Sequence, residues 1–581
     1  MPRKRIFCIL FLLISFASAQ FYFGRNKIQY EQFDWRILKT DHFHIYYYQQ
    51  EGEIAGIAAQ VLEDSYRDLE VKFNHTLWDT VPLIIYGSHI HFQQTNILPM
   101  MIPEGVGGFF EHRKGRVVIP YLGDLSAFRN VLTHELAHVF TFSKMMTPVR
   151  MKLINSPPAI PHWFSEGLAE WWSVGWDTQS EMVIRDRLVN GTLVPLSEVG
   201  GYLSYKEGQA FLRWFEEQYG IDRIRRLMED YWIYQTFQEC LEHIAGLKFQ
   251  DLHSQWLQSL RHRTADDLAG DAPGMSQSSL ITSEGVNIFP VTYLDSRDQR
   301  HVVYLSSREG FPVIYQHPLY SENQRRRLAR SGQNTDMESV HFLESGMDVY
   351  QGEKLVIAAR SNRQDVLQVL DLDSGKITAT YGHDSLVTIR SPRWSPDGKR
   401  ILFGGQDFSG RSDIFLLNIA QDQIFNLTND IYTDRDPSFD PTGANIVFSS
   451  DRIKNNYNTG LDLFLMELSS GNINLLLQDQ ARKIFPSWSK TDPYKIHYLS
   501  DRSGMTNIWS LSRDEEQAGN LTLRQETDFH TGISQFQPLG SDSAVAGVFK
   551  DFSYQVAALP LDSITVLDWA TDPDMETSGN W

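Results

Sequence analysis

The sequence contains almost no cysteine. Of its 581 residues only Cys8 and Cys240 are cysteines, and Cys8 lies in an N-terminal segment that we expect to be removed. One remaining cysteine cannot form an internal disulfide, so the folded domains must be large enough to be stable without one. Cys240 lies among apolar residues and is predicted to be a buried helical residue. A G-x-S-x-G nucleophile turn is also absent from the sequence, which argues against one common class of serine hydrolase.

Long apolar runs are equally scarce. The longest, residues 6–16, follows Arg3, Lys4 and Arg5 and precedes Ala17-Ser18-Ala19. A positive start, a short apolar stretch and an A-x-A site are typical of a secretory signal peptide, here residues 1–19. The stretch is too short for a permanent membrane helix. We therefore expect an exported protein, periplasmic or extracellular, with no transmembrane segment after signal cleavage.

Positive charge is in deficit. The chain has 53 Lys and Arg against 72 Asp and Glu, a net charge of −19, and loss of the three basic signal residues makes it −22. This balance opposes nucleic-acid binding, which needs clustered basic residues. Charged residues at 22% and aromatic residues at 12% indicate folded globular domains.

What the sequence does contain is a set of metal-binding residue types. His134-Glu135-Leu136-Ala137-His138 lies in an apolar stretch without Pro or Gly, which predicts a helix. Histidines four residues apart lie on one helical face and can share an ion. Glu135, beside them, is placed to accept a proton from a water at that ion. The pattern alone also fits a helix with two surface histidines, so a third ligand is needed.

A second segment supplies the third ligand. Glu166 and Glu170, in the aromatic stretch 163–172, are again four residues apart, and a loop with four prolines separates them from the first helix. We predict that the loop ends the first helix and lets a second helix return across it. Glu166 would then bind the metal, and Glu170 would accept the free N–H of a ligand imidazole, that of His134.

With both segments, H-E-L-A-H and W-F-S-E-G-L-A-E, the chain resembles the gluzincin metallopeptidases, the thermolysin-like clan called peptidase MA. The resemblance covers roughly residues 30–260 and is specific only around the two helices. It implies an α+β zincin-like domain with one Zn²⁺ per chain, held by His134, His138 and Glu166. It also implies Glu135 as general base and Glu170 as a carboxylate that orients a ligand.

The resemblance further implies a peptide or protein substrate and metal-assisted hydrolysis, in which Glu135 moves a proton from water to the leaving amine. A donor for the oxyanion is expected, and Tyr202 and Tyr205 are the candidates. Both tyrosines are equally well explained as packing residues. Residues 115–120 are predicted to form an edge strand that aligns the substrate, because the β-branched run ends at Pro120. Gly105, Gly107 and Gly108 before it indicate a flap or a turn.

The C-terminal half is repetitive. Apolar strands aligned on Tyr304, Ile357, Phe403, Phe448 and Tyr498 recur at steps of 53, 46, 45 and 50 residues, and a weaker sixth copy surrounds residues 545–549. Such periods, with several strands in each unit, predict an all-β six-bladed propeller. The aromatic residues that precede three of the copies are predicted to pack between blades: Trp394, Phe439 and Trp488.

Through its S-P-D-G and S-S-D-R patterns this region is similar to the TolB-like propeller family. The sequence therefore divides into a signal peptide (1–19), a zincin-like domain (20–263), a polar linker (264–285), a propeller (286–562) and an acidic tail (563–581). Two functions follow. The first is an exported zinc metallopeptidase whose propeller binds a protein partner or restricts access to the site. The alternative is a non-catalytic TolB-like envelope adaptor with a vestigial metal domain.

Overall fold

The structure is a computed structural model that describes residues 32–48, 51–98, 102–103, 105–156, 159–269, 279–332, 337–452, 460–513, 521–562 and 564–568. The predicted signal peptide lies outside the described residues, and so does most of the predicted acidic tail. Within the part that is described, no helix is long and apolar enough to cross a membrane.

The N-terminal domain begins with a five-stranded sheet of order β1-β2-β3-β5-β4. The three central strands pair in parallel, and the two outer strands are antiparallel to their neighbours. Alternate side chains of the central strands are buried against helix α1. The strands are β1 Trp35–Lys39, β2 Phe43–Tyr48, β3 Val81–Tyr86, β4 Phe109–Glu111 and β5 Arg116–Pro120, and α1 is Gly52–Phe73.

Among the described residues, nine further α-helices belong to this domain, and most of them form one hydrophobic core with the sheet. The buried free Cys240 lies on α9, as predicted from its apolar neighbours. The helices are α2 His89–Gln93, α3 Leu125–Met145, α4 Thr147–Arg150, α5 His162–Ser173, α6 Thr178–Val189, α7 Tyr202–Tyr219, α8 Ile221–Asp230, α9 Phe237–Ala245 and α10 Phe249–Ala269.

The prediction that residues 115–120 form an edge strand was wrong. Strand β5 lies between β3 and β4, so both of its edges are paired. The short β4 folds back on β5 as a hairpin and takes the edge position instead. Pro120 is tolerated because it is the last residue of the strand, where it pairs with Tyr86.

The predicted helix–proline loop–helix arrangement is confirmed. Helix α3 starts at its N-cap Asp124, whose carboxylate accepts a hydrogen bond of 2.8 Å from the backbone N–H of Ala127. It ends at Met145, and the next residues form the short α4 with a proline in its first turn. Pro161 immediately precedes α5. Helix α5 packs against α3 on one side and α7 on the other.

The C-terminal half is a propeller of six antiparallel sheets, as predicted. The first four strands of blades 1–5 and the first three of blade 6 are consecutive in the chain, and the first strand of each blade packs against the preceding blade of the ring. Blade 1 is β7 Asn287–Leu294, β8 Arg300–Ser306, β9 Val313–Pro318 and β10 Arg326–Arg330; blade 2 is β11 Met347–Tyr350, β12 Lys354–Ser361, β13 Gln364–Asp371 and β14 Ile377–Gly382; blade 3 is β15 Leu386–Trp394, β16 Arg400–Asp407, β17 Ser412–Asn418 and β18 Gln423–Asn426.

The remaining blades follow the same order. Blade 4 is β19 Asp434–Phe439, β20 Asn445–Ser450, β21 Asp462–Glu467 and β22 Ile473–Leu477; blade 5 is β23 Lys483–Trp488, β24 Lys495–Ser500, β25 Asn507–Arg513 and β26 Leu521–Gln525; blade 6 is β27 Ile533–Pro538, β28 Ser543–Lys550 and β29 Ser553–Pro560. The ring is closed by β6 Ser279–Leu280, which pairs with β29 as the outer strand of blade 6.

Both ends of the propeller differ from the predicted boundaries. Helix α10 continues to Ala269, and β6 belongs to blade 6, so the predicted linker 264–285 is partly helix and partly blade. At the other end, β30 Thr565–Asp568 adds a fifth strand to blade 5 from within the predicted tail. At the first place local polarity suggested a loop because both residues of the outermost strand β6 are exposed.

The aromatic residues predicted to lie between blades do so. Trp394 packs in one cluster with residues of blades 2 and 3, such as Val356. Phe439 joins blades 3 and 4, and Trp488 joins blades 4 and 5. These contacts explain why an aromatic residue precedes the strand in three of the copies.

The N-terminal domain sits on one face of the propeller, and the start of α3 is a main contact. The Leu125 backbone N–H donates to the Thr433 hydroxyl at 3.3 Å, and Asp124 lies 3.7 Å from Arg435. The Gln406 side-chain amide donates to the carbonyl of Tyr121 at 3.1 Å. The helix that carries the two histidines is therefore held at its first turn by blades 3 and 4.

Helices α5 and α7 approach each other at a pair of glycines. A Cβ on Gly208 would clash with the carbonyl oxygen of Trp163, and one on Gly167 would clash with the Gly208 backbone. No side chain fits there without moving one helix away from the other. The close approach fixes how far α5, with its two glutamates, lies from α7.

We predict that Gly208→Ala lowers the free energy of unfolding of the N-terminal domain by about 1–3 kcal/mol, the usual effect of overpacking. Gly56→Ala is the matched control. Gly56 is also helical, but a Cβ there meets nothing within 4 Å, so that variant should be neutral or more stable by about 0.5–1 kcal/mol. Denaturant unfolding measures both. Equal stability of the two variants would contradict the proposed packing constraint.

Candidate metal centre

The two histidines of α3 face the same point. His134 and His138 are one turn apart, and their Nε2 atoms lie 3.1 Å from each other. Both side chains are largely buried, at 12% exposed. Two imidazole nitrogens held this close need a proton or a cation between them, because their lone pairs would otherwise repel.

Glu166 of α5 completes the group. Its Oε2 atom lies 3.1 Å from His138 Nε2 and 3.5 Å from His134 Nε2. The three ligating atoms lie within 4.8 Å of one another. The structure thus brings together the three residues that the sequence singled out as ligands; their role as ligands stays a prediction.

The spacing fits zinc. Bonds of 2.0–2.2 Å to a tetrahedral ion place neighbouring ligand atoms roughly 3.3–3.6 Å apart. The observed 3.1–3.5 Å agrees with that range to within a few tenths of an ångström. Two imidazoles and one carboxylate are a usual donor set for zinc, and three protein ligands leave one position open.

Glu170 sits on the far side of His134. Its Oε1 atom lies 3.1 Å from His134 Nδ1. This carboxylate favours the proton on Nδ1, so that Nε2 presents its lone pair to the common point. The arrangement is the one predicted for Glu170 from its spacing to Glu166.

Glu170 has a second partner that the sequence did not reveal. Lys206 of α7 donates to Glu170 Oε2 at 2.7 Å and lies 3.2 Å from the Ser180 hydroxyl. Lys206 is only 5% exposed. Its position 36 residues further along the chain carries no spacing signal, so only the packing of α5 on α7 brings the two together.

The charged residues of the group shift one another's pKa values. Burial alone would lower the pKa of His134, but the carboxylates of Glu166 and Glu170 outweigh it and raise that pKa to about 10. Burial would likewise raise the pKa of Glu170, yet His134 and Lys206 lower it to about 2. The pKa of Glu166 is lowered for the same reason by the two histidines. The cluster therefore stabilises positive charge at its centre.

Glu135 lies beside the group, and the segment that contains Gly107 and Gly108 packs over it. Its side chain is 6% exposed, and burial raises its pKa. A Cβ on Gly108 would come within 3.3 Å of the Glu135 Cγ atom, and one on Gly107 within 3.2 Å of Val131. These glycines therefore let the chain before β4 lie directly on α3. Whether they form a flap or a turn stays a prediction.

The two candidate tyrosines are not equivalent. The ring of Tyr205 lies nearly parallel to that of His134, with centroids 6.0 Å apart and an interplanar angle of 13°. Tyr202 lies one step further out, 6.5 Å from Tyr205, and is 43% exposed. Tyr205 is thus the one next to the predicted metal ligands; neither assignment as oxyanion donor is tested by this geometry.

Two more histidines border the site. His162 Nε2 lies 3.5 Å from the second oxygen of Glu166, and the side chain is 58% exposed. Its spacing of four residues from Glu166 was a usable signal. His112, in the β4–β5 hairpin, is close enough to His138 and Glu166 for their charges to affect its pKa, which burial lowers. No pattern in the sequence links His112 to the site.

Another group of carboxylates, Asp413, Asp430 and Asp434, comes together in blades 3 and 4. Arg452 already pairs with Asp430 at 3.3 Å and with Asp434 at 2.6 Å. Asp413 accepts hydrogen bonds from Thr428 and from the Asp430 backbone. The guanidinium of Arg452 balances the charge of these carboxylates, so we assign no metal to the group.

No protein-family profile and no curated protein matches the sequence. Among solved structures, the chain is similar to a putative TolB from Agrobacterium tumefaciens, at 17% identity and a TM-score of 0.33 over 42% of this chain and 83% of that one. TolB from Acinetobacter baumannii is similar at 15% identity and a TM-score of 0.29, over 52% and 84%. A prolyl endopeptidase structure is similar at 12% identity and a TM-score of 0.32, over 56% of each chain. Likenesses at this level assign no activity, and the six-bladed architecture rests on the strand order itself.

We predict that the purified chain binds one zinc ion and that His138→Ala loses it. Removal of one of three ligands leaves two donors on α3 and α5, too few for a tight site. Metal analysis after dialysis, together with the shift in unfolding temperature on adding zinc, measures the effect. His243→Ala, on α9, is the matched control and should keep the metal. Equal zinc content in the two variants would contradict the assignment.

We also predict that Lys206→Met destabilises the domain by about 3–5 kcal/mol, because it leaves the buried carboxylate of Glu170 with one partner fewer. The double variant Lys206→Met, Glu170→Gln should recover part of that loss. Urea unfolding of the metal-free protein gives the values. If the single variant is as stable as the parent, the ion pair between Lys206 and Glu170 does not contribute to stability.

Proposed function

We propose that this protein is a zinc-dependent hydrolase that cleaves peptide bonds. The observation that carries the proposal is the convergence of His134, His138 and Glu166 on one point, with Glu170 orienting His134 and Glu135 buried beside them. A structural zinc site would have four protein ligands, whereas this one offers three. A buried carboxylate next to the open position suits proton transfer.

Each residue of the site would have a separate role in the reaction. His134, His138 and Glu166 would hold the ion, which when bound polarises the scissile carbonyl and lowers the pKa of water. Glu135 would accept the proton released by the attacking water and return it to the leaving nitrogen as the C–N bond breaks. Tyr205, beside His134, is the better placed of the two tyrosines to donate to the carbonyl oxygen.

The propeller would limit what reaches the site. It supports the first turn of α3 and also contacts α6, so it covers one side of the N-terminal domain. Propellers commonly present binding faces, although a fold alone does not establish a function. Export to the periplasm or the cell exterior is part of the same proposal and rests on the sequence of residues 1–19.

One observation favours the adaptor alternative. A cavity of about 380 Å³ lies on the propeller axis, at the face turned away from the N-terminal domain, and contains aromatic residues such as Trp394 and Trp488. A partner segment could bind there without any catalysis. A measurement of peptide hydrolysis separates the two functions, since an adaptor would cleave no peptide with zinc bound.

We predict that Glu135→Gln lowers peptide hydrolysis by at least about 100-fold, the size of a general-base contribution, while zinc content and unfolding temperature stay near the parent values. The amide keeps the shape of the side chain but cannot take up the proton. Cleavage of a quenched-fluorophore peptide library by the zinc-loaded chain, with and without chelator, provides the measurement.

Glu198→Gln, at an exposed carboxylate between α6 and α7, is the control and should retain full activity. Full activity of the Glu135 variant would show that another group moves the proton. Absence of cleavage by the zinc-loaded parent protein would favour the adaptor.

A further inference from the structure

A hairpin of blade 6 reaches the N-terminal domain. Its tip, Asp551-Phe552, joins β28 to β29, and both residues have positive φ, 52° and 55°. Two-residue hairpin turns require positive φ at both central residues, because the turn then matches the twist of the two strands. The Asn362-Arg363 turn of blade 2 has the same geometry, so the hairpin itself accounts for the backbone conformation.

Asp186 of α6 is what holds the hairpin. One of its carboxylate oxygens accepts the N–H of Asp551 at 2.9 Å, and the other accepts the N–H of Phe552 at 2.8 Å. Asp186 is 2% exposed. A buried side chain of one domain thus fixes the backbone of a turn in the other, and with it the direction of the Phe552 ring.

The ring of Phe552 extends a row of aromatic rings that begins at the candidate metal centre. From His134 the row passes to Tyr205, then to Tyr202 and then to Phe552, with centroid distances of 6.0, 6.5 and 6.3 Å. An extended peptide covers three such steps in roughly five or six residues. The outer two rings remain accessible, at 43% for Tyr202 and 42% for Phe552.

Exposure of two adjacent large aromatic side chains costs hydration free energy unless something covers them. The turn leaves the Phe552 ring exposed and in contact with Tyr202, continuous with the group around His134. The occupant that fits this position is the part of a peptide substrate that extends away from the scissile bond.

We propose that Tyr202 and Phe552 form a subsite for a bulky apolar or aromatic side chain of the substrate, a few residues from the bond that is cut. The inference rests on the proposed peptidase function. It makes the propeller part of the substrate-binding surface, because one of the two rings belongs to blade 6. Offset or edge-to-face contacts with the two rings would select the side chain.

Phe552→Gly tests the subsite without disturbing the hairpin. Glycine adopts positive φ freely, so the turn held by Asp186 should persist while the ring is lost. Phe425→Ala is the matched control: Phe425 is 46% exposed on the outer strand of blade 3. Unfolding temperatures of both variants confirm that the full chain stays folded.

The probes are dye-labelled alanine octapeptides with a single phenylalanine moved through each position. Binding is measured by fluorescence anisotropy on zinc-loaded Glu135→Gln, and cleavage on the parent chain. We expect phenylalanine at one or two positions to raise affinity and kcat/KM about three- to tenfold over the all-alanine peptide. Adding Phe552→Gly should remove this preference and leave the all-alanine peptide unaffected, while Phe425→Ala keeps the preference.

The outcomes separate the two proposals. If Glu135→Gln prefers phenylalanine peptides in binding but the parent chain cleaves none, the subsite stands and the peptidase function fails. If no position favours phenylalanine, or if Phe552→Gly keeps the preference, the subsite is overturned. It is also overturned if Phe552→Gly weakens all peptides alike, since the hairpin would then only support the domain.

Discussion

The close packing of α5 between α3 and α7 is the constraint on which the rest of the molecule depends. The candidate metal centre takes two nitrogens from α3 and one oxygen from α5, and the three atoms lie within 4.8 Å of one another. That spacing tolerates little movement between the helices. The contact between Gly167 and Gly208 fixes the position of α5 on its opposite side, because the backbones of α5 and α7 touch there without a side chain between them.

Charge makes this packing specific. Glu166 faces the histidines, and Glu170, one turn later on the same helix, bridges His134 and Lys206. Buried carboxylates are costly unless they are paired, so α5 has one favourable rotation, the one in which each glutamate meets its cation. The same pairing orients His134. Stability and preorganisation of the site therefore come from the same contacts.

Several contacts of the propeller reach helices next to the site. Blades 3 and 4 hold the first turn of α3, and the blade 6 hairpin holds α6 through Asp186. Helix α3 carries two of the predicted metal ligands, and α6 contacts Lys206, the partner of Glu170, through Ser180. The propeller is therefore placed to influence the geometry of the candidate metal centre. A six-bladed ring suits this role because it is closed by β6 and rigid, and its loops can reach separate elements of a neighbouring domain.

Local patterns in the sequence determined the parts that depend on short-range periodicity. The four-residue spacings of His134 and His138 and of Glu166 and Glu170 were sufficient to predict two helices with one ligand face each. The recurring apolar strands were sufficient for six blades, and their aromatic residues for the contacts between blades. These signals are strong because helix and blade geometry repeat with fixed periods.

Only the tertiary structure decided the features that depend on distant residues. A three-residue strand such as β4 is too short to show a pattern, so the sequence misplaced the sheet edge at β5. Lys206 and His112 carry no spacing signal toward the metal-binding residues. Phe552 lies 418 residues after His134 in the chain, and a hairpin turn held by Asp186 brings it near the site. Such contacts follow from how whole domains pack, and no local periodicity encodes that.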